Sequence, residues 1–568
     1  MKRIVFVFLC LALAASAFAG GSSAGGGTSG KTSRVGAKGS LPLATNKPTL
    51  TMFNGGAYAD NLTSLDYKDN IFTKKIVDET GINLIITSTS VADVNERLNI
   101  MLNTGDYPDI ITWYNGNPID MDYYAQQGVF ISLDSYDPMS FPNIKKAFGL
   151  YPEAKAKVTG SDGKLYGLPT VDFCLHCTYQ YGRVWYYMPW IRDYNRKVPE
   201  TTAELTEFLR WVKNSDPNKN GKRDELGIAL MKDDLYNFVA YIAKAYMPFV
   251  YTGTYFGLSL DNSKKIVEQY RDNNFRSALA YIADLYKEGL IVQDSFSMQT
   301  EQLQIIARSQ DTVAAVLGAP WYNGLVPQLG DKYMEYFNLP PLKTASGQRY
   351  ASNGDPWSNI YSKFFITNKC KDPELAIALY DYFLRDDVQK STYGPEGIFW
   401  VDPDPGAVGY DGKPAYWKWI GVFGLEPLNS HWGNSSPHVW EAKMKAGIQM
   451  DDVETAVKYM ATGDKSLQSR VQANISYGEF MWYNISMETS KYAIPNSAFI
   501  PPVIMNTTDT SRTADINAVL DPFKKQAFVE FITGTRDINN NNHWNTYLAE
   551  LDRLGSKEMV QILQKYIK

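Results

Sequence analysis

The alternation of element types between residues 49 and 113 constrains the fold more than any other feature of the chain. Thr49 to Phe53 is a short β-rich run broken by Asn54-Gly55-Gly56. A helical stretch covers 71–80, a second strand 83–88 and a second helix 91–103. A third strand at 109–112 follows the Gly105-Asp106-Tyr107-Pro108 turn and ends on Trp113-Tyr114. Strand, helix and strand in this rhythm predict parallel strands in an α/β lobe. A long helical middle follows over 202–214, 236–246 and 273–288, and strand character returns at 312–317 and 363–367. The chain is therefore expected to leave one α/β lobe, build a second and return near residue 312, which gives several crossovers and a hinge. The expected division assigns 48–165 with 310–366 to an N-terminal lobe. A helix-rich C-terminal lobe takes 166–309 with 367–568, including the amphipathic stretch 523–568.

The amino end reads as an export signal. Met1-Lys2-Arg3 is a positive n-region, residues 4–15 are apolar, and Ala17-Phe18-Ala19 is a small-x-small cleavage site. The apolar run of 12 residues falls short of the ~20 that span a bilayer. Cys10 follows Leu9 inside the apolar run, where a lipobox would need a small residue, so no lipid anchor is expected. An untethered exported binder stays with its cell only behind an outer membrane, and the periplasm is the expected compartment. Residues 20–47 are Gly/Ser-rich and are expected to be a flexible linker, with folded structure beginning near Pro48.

Charged residues at 21%, hydrophobic ones at 44% and a mean hydropathy of −0.30 exclude both disordered and multi-span membrane classes. The net charge of −5, more negative still once Lys2 and Arg3 leave, argues against nucleic acid as a partner. Cys174, Cys177 and Cys370 remain after the leader, too few for a disulfide framework. Cys174-Leu175-His176-Cys177 has redox or zinc-like spacing, but a structural zinc needs four ligands; a local disulfide or free thiols fit better.

The chain carries 38 Tyr, 26 Phe and 13 Trp, more flat apolar faces than a core needs. In open α/β sheets ligands sit outside the carboxyl ends of strands. Aromatic residues beside Asn, Asp or Gly recur near such ends, giving Tyr58, Trp113, Tyr114, Trp321 and Trp357 as candidate ligand contacts, with Trp400 in a Gly/Pro-broken loop. An indole or phenol face matches the C–H face of a sugar ring, and neighbouring polar groups match its hydroxyls. The alternative for any single Trp is an ordinary core aromatic. Arg183 and Trp185 are further candidates, as a ligand clamp or as the start of the next lobe.

The sharpest motif runs from Asp216 through Asn218, Asn220, Gly221, Lys222 and Asp224 to Glu225. It places oxygen side chains at positions 1, 3 and 5 and Gly at 6, as an EF-hand loop does around a hard cation. Lys222 would offer its backbone carbonyl. Position 12 is Gly227 rather than Glu, with acids instead at 9 and 10, so this is an abbreviated calcium loop with a structural role; a solvated polar turn is the alternative. No HExxH, Walker loop or GxSxG is present, and no nucleophile constellation stands out. The adjacent carboxylates Asp233/Asp234 and Asp386/Asp387 read as solvated faces.

Several stretches together resemble the extracellular solute-binding protein family 1 of bacterial ABC importers, in particular its long oligosaccharide binders related to alginate-binding proteins. They are Asp78 to Ile82, Leu102 to Ile110 and Asp162 to Pro169. Val198 to Thr201 leading into the Asp216 loop, Tyr393 to Trp400, and Phe531 to Gly534 with Trp544 complete the set. The resemblance implies a periplasmic-binding-protein-like fold of type II: two α/β lobes, several hinge crossovers, and a cleft that closes on ligand for delivery to an inner-membrane permease. It implies a monomer that does not span the membrane, Ca²⁺ in the Asp216 loop, and Glu396 and Trp400 in a ligand-contacting loop. The expected function is therefore a non-enzymatic, periplasmic oligosaccharide-binding component of an importer. Its rivals are a secreted carbohydrate-active hydrolase or lyase and a peptide-binding or sensor-linked binder.

Overall fold

A computed structural model describes residues 37–57, 67–90, 93–113, 121–172, 183–252, 255–318, 332, 335–351, 360–392, 394–398, 400–409, 413–420, 429, 432, 439–440, 455, 458–459, 462–464, 466–467, 486, 488–503 and 505–567. The strands in chain order are β1 (Thr49–Ala57), β2 (Asn83–Ser90), β3 (Ile110–Trp113), β4 (Gly167–Asp172), β5 (Trp185–Tyr187), β6 (Leu226–Leu230), β7 (Leu258–Leu260), β8 (Ile266–Glu268), β9 (Ala314–Gly318), β10 (Tyr336–Asn338), β11 (Ile360–Ile366), β12 (Trp400–Val401), β13 (Lys418–Trp419) and β14 (Val439–Trp440).

Two sheets organise them. The first runs β14-β4-β11-β3-β1-β2 and the second β10-β5-β9-β6, with β7/β8 and β12/β13 as small hairpins. β1 pairs in parallel with β2, from Thr49 opposite Asn83, and with β3, from Met52 opposite Ile110. The strand-helix-strand rhythm at 49–113 thus builds the parallel part of the first sheet. Leu50 and Met52 enter one apolar cluster while Phe53 enters another on the opposite face, as expected of a strand covered on both sides. β11 then runs antiparallel to both β3 and β4, and β14 parallel to β4.

The expected division of the chain needs correction in three places. β4 pairs with β11 and places Leu168 and Val171 in the first cluster, so 167–172 belongs to the first lobe rather than the second. β9 pairs with β5 and β6, β10 pairs with β5, and Ala314 to Leu317 lie in the apolar cluster around the second sheet, so β9 and β10 do not return to the first lobe. The helix Pro373–Phe383 packs Leu375 to Phe383 into the cluster of the first sheet, so that segment does not belong to the second. The error arose because a strand's run of apolar residues records that it is buried, not which partner it pairs with. The C-terminal helices Thr507–Thr533, Asn541–Arg553 and Ser556–Gln564 contribute Phe528, Phe531, Trp544, Tyr547 and Leu563 to the second cluster.

Local chemistry explains the element ends. Helix Thr202–Asn214 starts at a reciprocal cap in which Thr201 Oγ1 accepts from the Glu204 amide at 3.1 Å and Glu204 Oε2 accepts from the Thr201 amide at 3.0 Å. Its Leu205, Phe208, Leu209 and Val212 recur at helical spacing and are buried, each contributing roughly 1.5–3 kcal/mol. The expected linker also folds earlier than Pro48: Leu43 and Ala44 are buried, and the Ala44 amide donates to Thr80 O at 3.0 Å.

Candidate functional site

The strand pairings place one set of strand ends on a common edge of each sheet. β1, β2 and β3 run together, β11 enters from the end where β3 leaves, and Val171 near the end of β4 lies opposite both Ile360 and Val439. The carboxyl ends of β1 to β4 and β14 and the amino end of β11 therefore share one edge. In the second sheet, Leu230 pairs with Gly318 at the ends of β6 and β9, and Trp185 at the start of β5 lies opposite Leu317 and Asn338. These ends also share an edge. Among the described residues the chain changes sheet three times, from β4 to β5, from β10 to β11, and from β14 onward to Tyr459 of the second cluster.

At the first edge a polar and aromatic cluster is built from the ends of β1 and β3. Thr112 Oγ1 donates to Asn54 Oδ1 at 2.7 Å, Asn54 Nδ2 donates to Tyr67 Oη at 3.3 Å, and Ser88 Oγ donates to Asn54 O at 2.7 Å. Tyr67 and Phe72 meet the Trp432 ring edge-on with centroids 5.5 and 5.3 Å away, and Trp432 Nε1 donates to Thr73 Oγ1 at 2.8 Å. Asn70 caps helix Ile71–Thr80 through Thr73 N and donates to Asn429 Oδ1 at 3.3 Å, docking the 429–432 region on the helix start. The sequence places Asn54 in the Asn54-to-Tyr58 stretch expected at a ligand-facing strand end but does not single out Tyr67 or Trp432. The signal for Trp432 is weak, because it pairs with residues some 360 positions earlier.

The candidates from the sequence fall into three groups. Tyr58, Tyr114, Trp321, Trp357 and the Cys174/Cys177 pair lie outside the described residues, and of Trp113 only the backbone, as the last residue of β3, is described. Arg183 is buried and donates through Nη2 to Ser486 Oγ at 2.7 Å, so it ties the end of the first crossing to a distant segment. Trp185 is 1% exposed inside the second cluster: the start of β5 turns it inward, and it is a core residue rather than a stacking face. Glu396 is exposed, bridged to Trp400 across a tight loop. Trp400 itself is buried, its Nε1 donating to Gly394 O at 3.1 Å and its ring lying 4.9 Å from the Lys390 ammonium, which also sits 4.0 Å from the Tyr416 ring. In this conformation Trp400 fastens its loop through a cation–π contact.

The Asp216 loop is tightly folded. Asp216 accepts from the amides of Asn220 at 3.0 Å and Gly221 at 2.8 Å, and Asn220 Oδ1 accepts from the Lys222 amide at 2.8 Å. Lys219 and Gly221 adopt φ of 59° and 85°, and the Asn218 and Asn220 amides both donate to Asp311 O. Glu225 is 8% exposed, and neither carboxylate oxygen has a hydrogen-bond partner. Burial raises its pKa, the Asp216 and Asp224 carboxylates add to the rise, and the nearby backbone amides at Asn218 and Glu225 oppose it. The donor set is all oxygen and one carboxylate is left unsatisfied, which fits a hard cation such as Ca²⁺. Among the described residues, no three His, Cys, Asp or Glu side chains already gather as a metal cluster. The expectation that Asp233/Asp234 form a solvated face holds for Asp233 and fails for Asp234, which is 2% exposed.

Two sheets, each with its own apolar cluster and with the chain passing between them more than once, fit a two-lobe, periplasmic-binding-protein-like fold, and residues 70–401 match the family of bacterial extracellular solute-binding proteins. The chain belongs to that family. It is similar to the fructooligosaccharide ABC transporter substrate-binding protein FusA of Streptococcus pneumoniae, 23% identical over 526 residues, covering 89% of this chain and 88% of the relative. FusA in complex with kestose superposes with a TM-score of 0.66 at 20% identity, over 91% of this chain and 98% of that one; an EF-hand mutant of FusA with fructo-nystose gives 0.65 at 19% and the same coverage. An HMO-binding, ABC-transporter-associated solute-binding protein from Bifidobacterium longum infantis gives 0.69 at 17% identity, over 91% and 98% of the two chains. These relatives are binding proteins rather than enzymes. No helix among the described residues is long and apolar enough to cross a membrane.

Proposed function

We propose that this protein is the exported substrate-binding component of an ABC importer and that it captures an oligosaccharide between its two lobes. The observation that carries the reading is the convergence of strand ends on one edge of each sheet where the chain passes between them, the first edge being braced from behind by the buried Asn54, Tyr67 and Trp432. The segments bearing Tyr58, Tyr114, Trp321 and Trp357 follow or precede strands at these same edges. Kestose bound to FusA and the HMO ligands of the Bifidobacterium protein favour sugar over peptide. Ligand touching both lobes favours the closed state by its differential contact energy, and the permease would accept that state; no bond is broken.

Asp216, Asn218, Asn220, Asp224 and Glu225, with the carbonyl of Lys222, would hold Ca²⁺, which supplies structural cross-linking of the loop and takes no part in ligand capture. The leader ending at Ala19 and the missing lipobox support release into the periplasm.

Thermal unfolding of the mature protein against neutral and uronic oligosaccharides tests the function. A ligand at 100 times its Kd adds about 2.7 kcal/mol and raises the midpoint clearly. A rise with one sugar class, without its consumption, supports the reading. Turnover of the sugar, or a rise with peptides alone, refutes it.

A further inference from the structure

Asp234 stands four residues beyond the end of β6, whose Leu230 pairs with Gly318 on the shared edge of the second sheet. The next residue opens helix Leu235–Ala243, in which every side chain is buried, so the amino end of the helix lies within five residues of that edge. Such an end favours negative charge and offers free amides. Yet the Asp234 side chain makes no capping bond to the helix it precedes. Its Oδ1 accepts from Asn237 Nδ2 at 3.2 Å, while Oδ2 is buried with no hydrogen-bond partner, in a residue 2% exposed. Leaving a buried carboxylate oxygen unsatisfied is costly and calls for a reason.

We propose that Asp234, oriented by Asn237 at the amino end of this helix, is a ligand subsite whose free Oδ2 accepts a hydrogen bond from a hydroxyl of the bound sugar. The inference rests on the oligosaccharide reading above and adds a specificity residue to it. Because Asp234 is covered, a hydroxyl can reach it only through a local opening around the end of β6 and the start of this helix. Burial lifts the carboxyl to about 7, with the exposed Asp233 adding and Asn237 opposing, so the free protein carries a cost that a hydroxyl donor relieves. A subsite of this kind trades stability of the free protein for affinity. That trade separates it from a structural role.

The test uses the full mature chain, wild type against Asp234→Asn and Asp234→Ala, with kestose and trigalacturonate as probes. Calorimetric titration gives the affinity and thermal unfolding without sugar gives the stability. The expected result is a ten-fold or greater loss of affinity for the bound probe in both variants, while the midpoint of free Asp234→Asn stays level or rises. Unchanged affinity in Asp234→Asn overturns the subsite, and so does a parallel loss of affinity and stability in both variants, which marks a scaffold role. If wild type binds neither probe, the oligosaccharide reading itself fails and the subsite falls with it.

Discussion

At the residue scale the informative groups are those whose burial and bonding disagree. Glu225 is buried beside Asp216 and Asp224 with neither oxygen satisfied, and its pKa is raised mainly by burial. In the metal-free protein its proton is therefore held to higher pH than in the unfolded chain. The stability that this proton confers is full below the unfolded carboxyl pKa and is lost as pH rises through the folded one. A cation needs the carboxylate, so Ca²⁺ binding expels the proton and its stabilising effect grows as pH rises across the same window. Chelated protein titrated with Ca²⁺ should show a midpoint rise that is larger at pH 7.5 than at pH 5. Glu225→Gln should remove most of it and leave the metal-free protein as stable or more so. A Ca²⁺ response that survives in Glu225→Gln would mean that the ion sits elsewhere.

At the element scale, the segment Asp78 to Ile82 shows why a family-like stretch has physical content. Helix Ile71–Thr80 ends at Gly81 with φ of 71°, and a Cβ there would lie 2.0 Å from Ala44 O, the carbonyl of the chain that wraps the first lobe. Helix Val94–Thr104 ends the same way at Gly105, φ 74°, but a Cβ there meets nothing within 4 Å. Gly105→Ala should cost about 1 kcal/mol for the left-handed backbone alone. Gly81→Ala should cost clearly more, roughly 2–4 kcal/mol, because the backbone of the wrap must also move. Equal losses in denaturant unfolding would show that the wrap is loosely held. The elements themselves were legible: the rhythm over 49–113 predicted β1, β2 and β3 and the helices between them, because those signals are local. What stayed hidden was pairing. β9 reads as a strand over 312–317, yet only contact with Leu226 to Leu230 tells which sheet it joins. Likewise Trp185 and Trp400 look like ligand-stacking residues until β5 and the Lys390 contact turn them inward. Asp234 was passed over because adjacent carboxylates usually face solvent, and nothing local reports that a helix start will be buried.

At the scale of the whole molecule, the question is what lets two separately cored lobes close as one device. The crossings leave the first sheet side by side at Asp172, Ile360 and Trp440, so bending there disturbs few side chains of either apolar cluster. On the other side the ends are tied. Arg183 donates to Ser486 Oγ, and Ala351 exchanges backbone hydrogen bonds with Tyr492 and Ile494 at 2.8 and 3.2 Å. The stretch from 486 to 494 thus fixes the second-lobe ends of two crossings, and the pivot should lie nearer the first sheet. Ser486→Ala withdraws one hydroxyl from a buried guanidinium that keeps its other partners, at a cost of about 1–3 kcal/mol, and loosens one crossing. Small-angle scattering should show wild type contracting when saturated with its sugar, by population shift toward the closed state. Ser486→Ala should reach the same contracted radius but need more ligand to do so, since an unfixed crossing gives the open ensemble more conformations to lose on closure. If Ser486→Ala closes at the wild-type ligand concentration, the tie at Arg183 plays no part in the hinge; if wild type does not contract with a bound sugar, the lobes do not close on it at all.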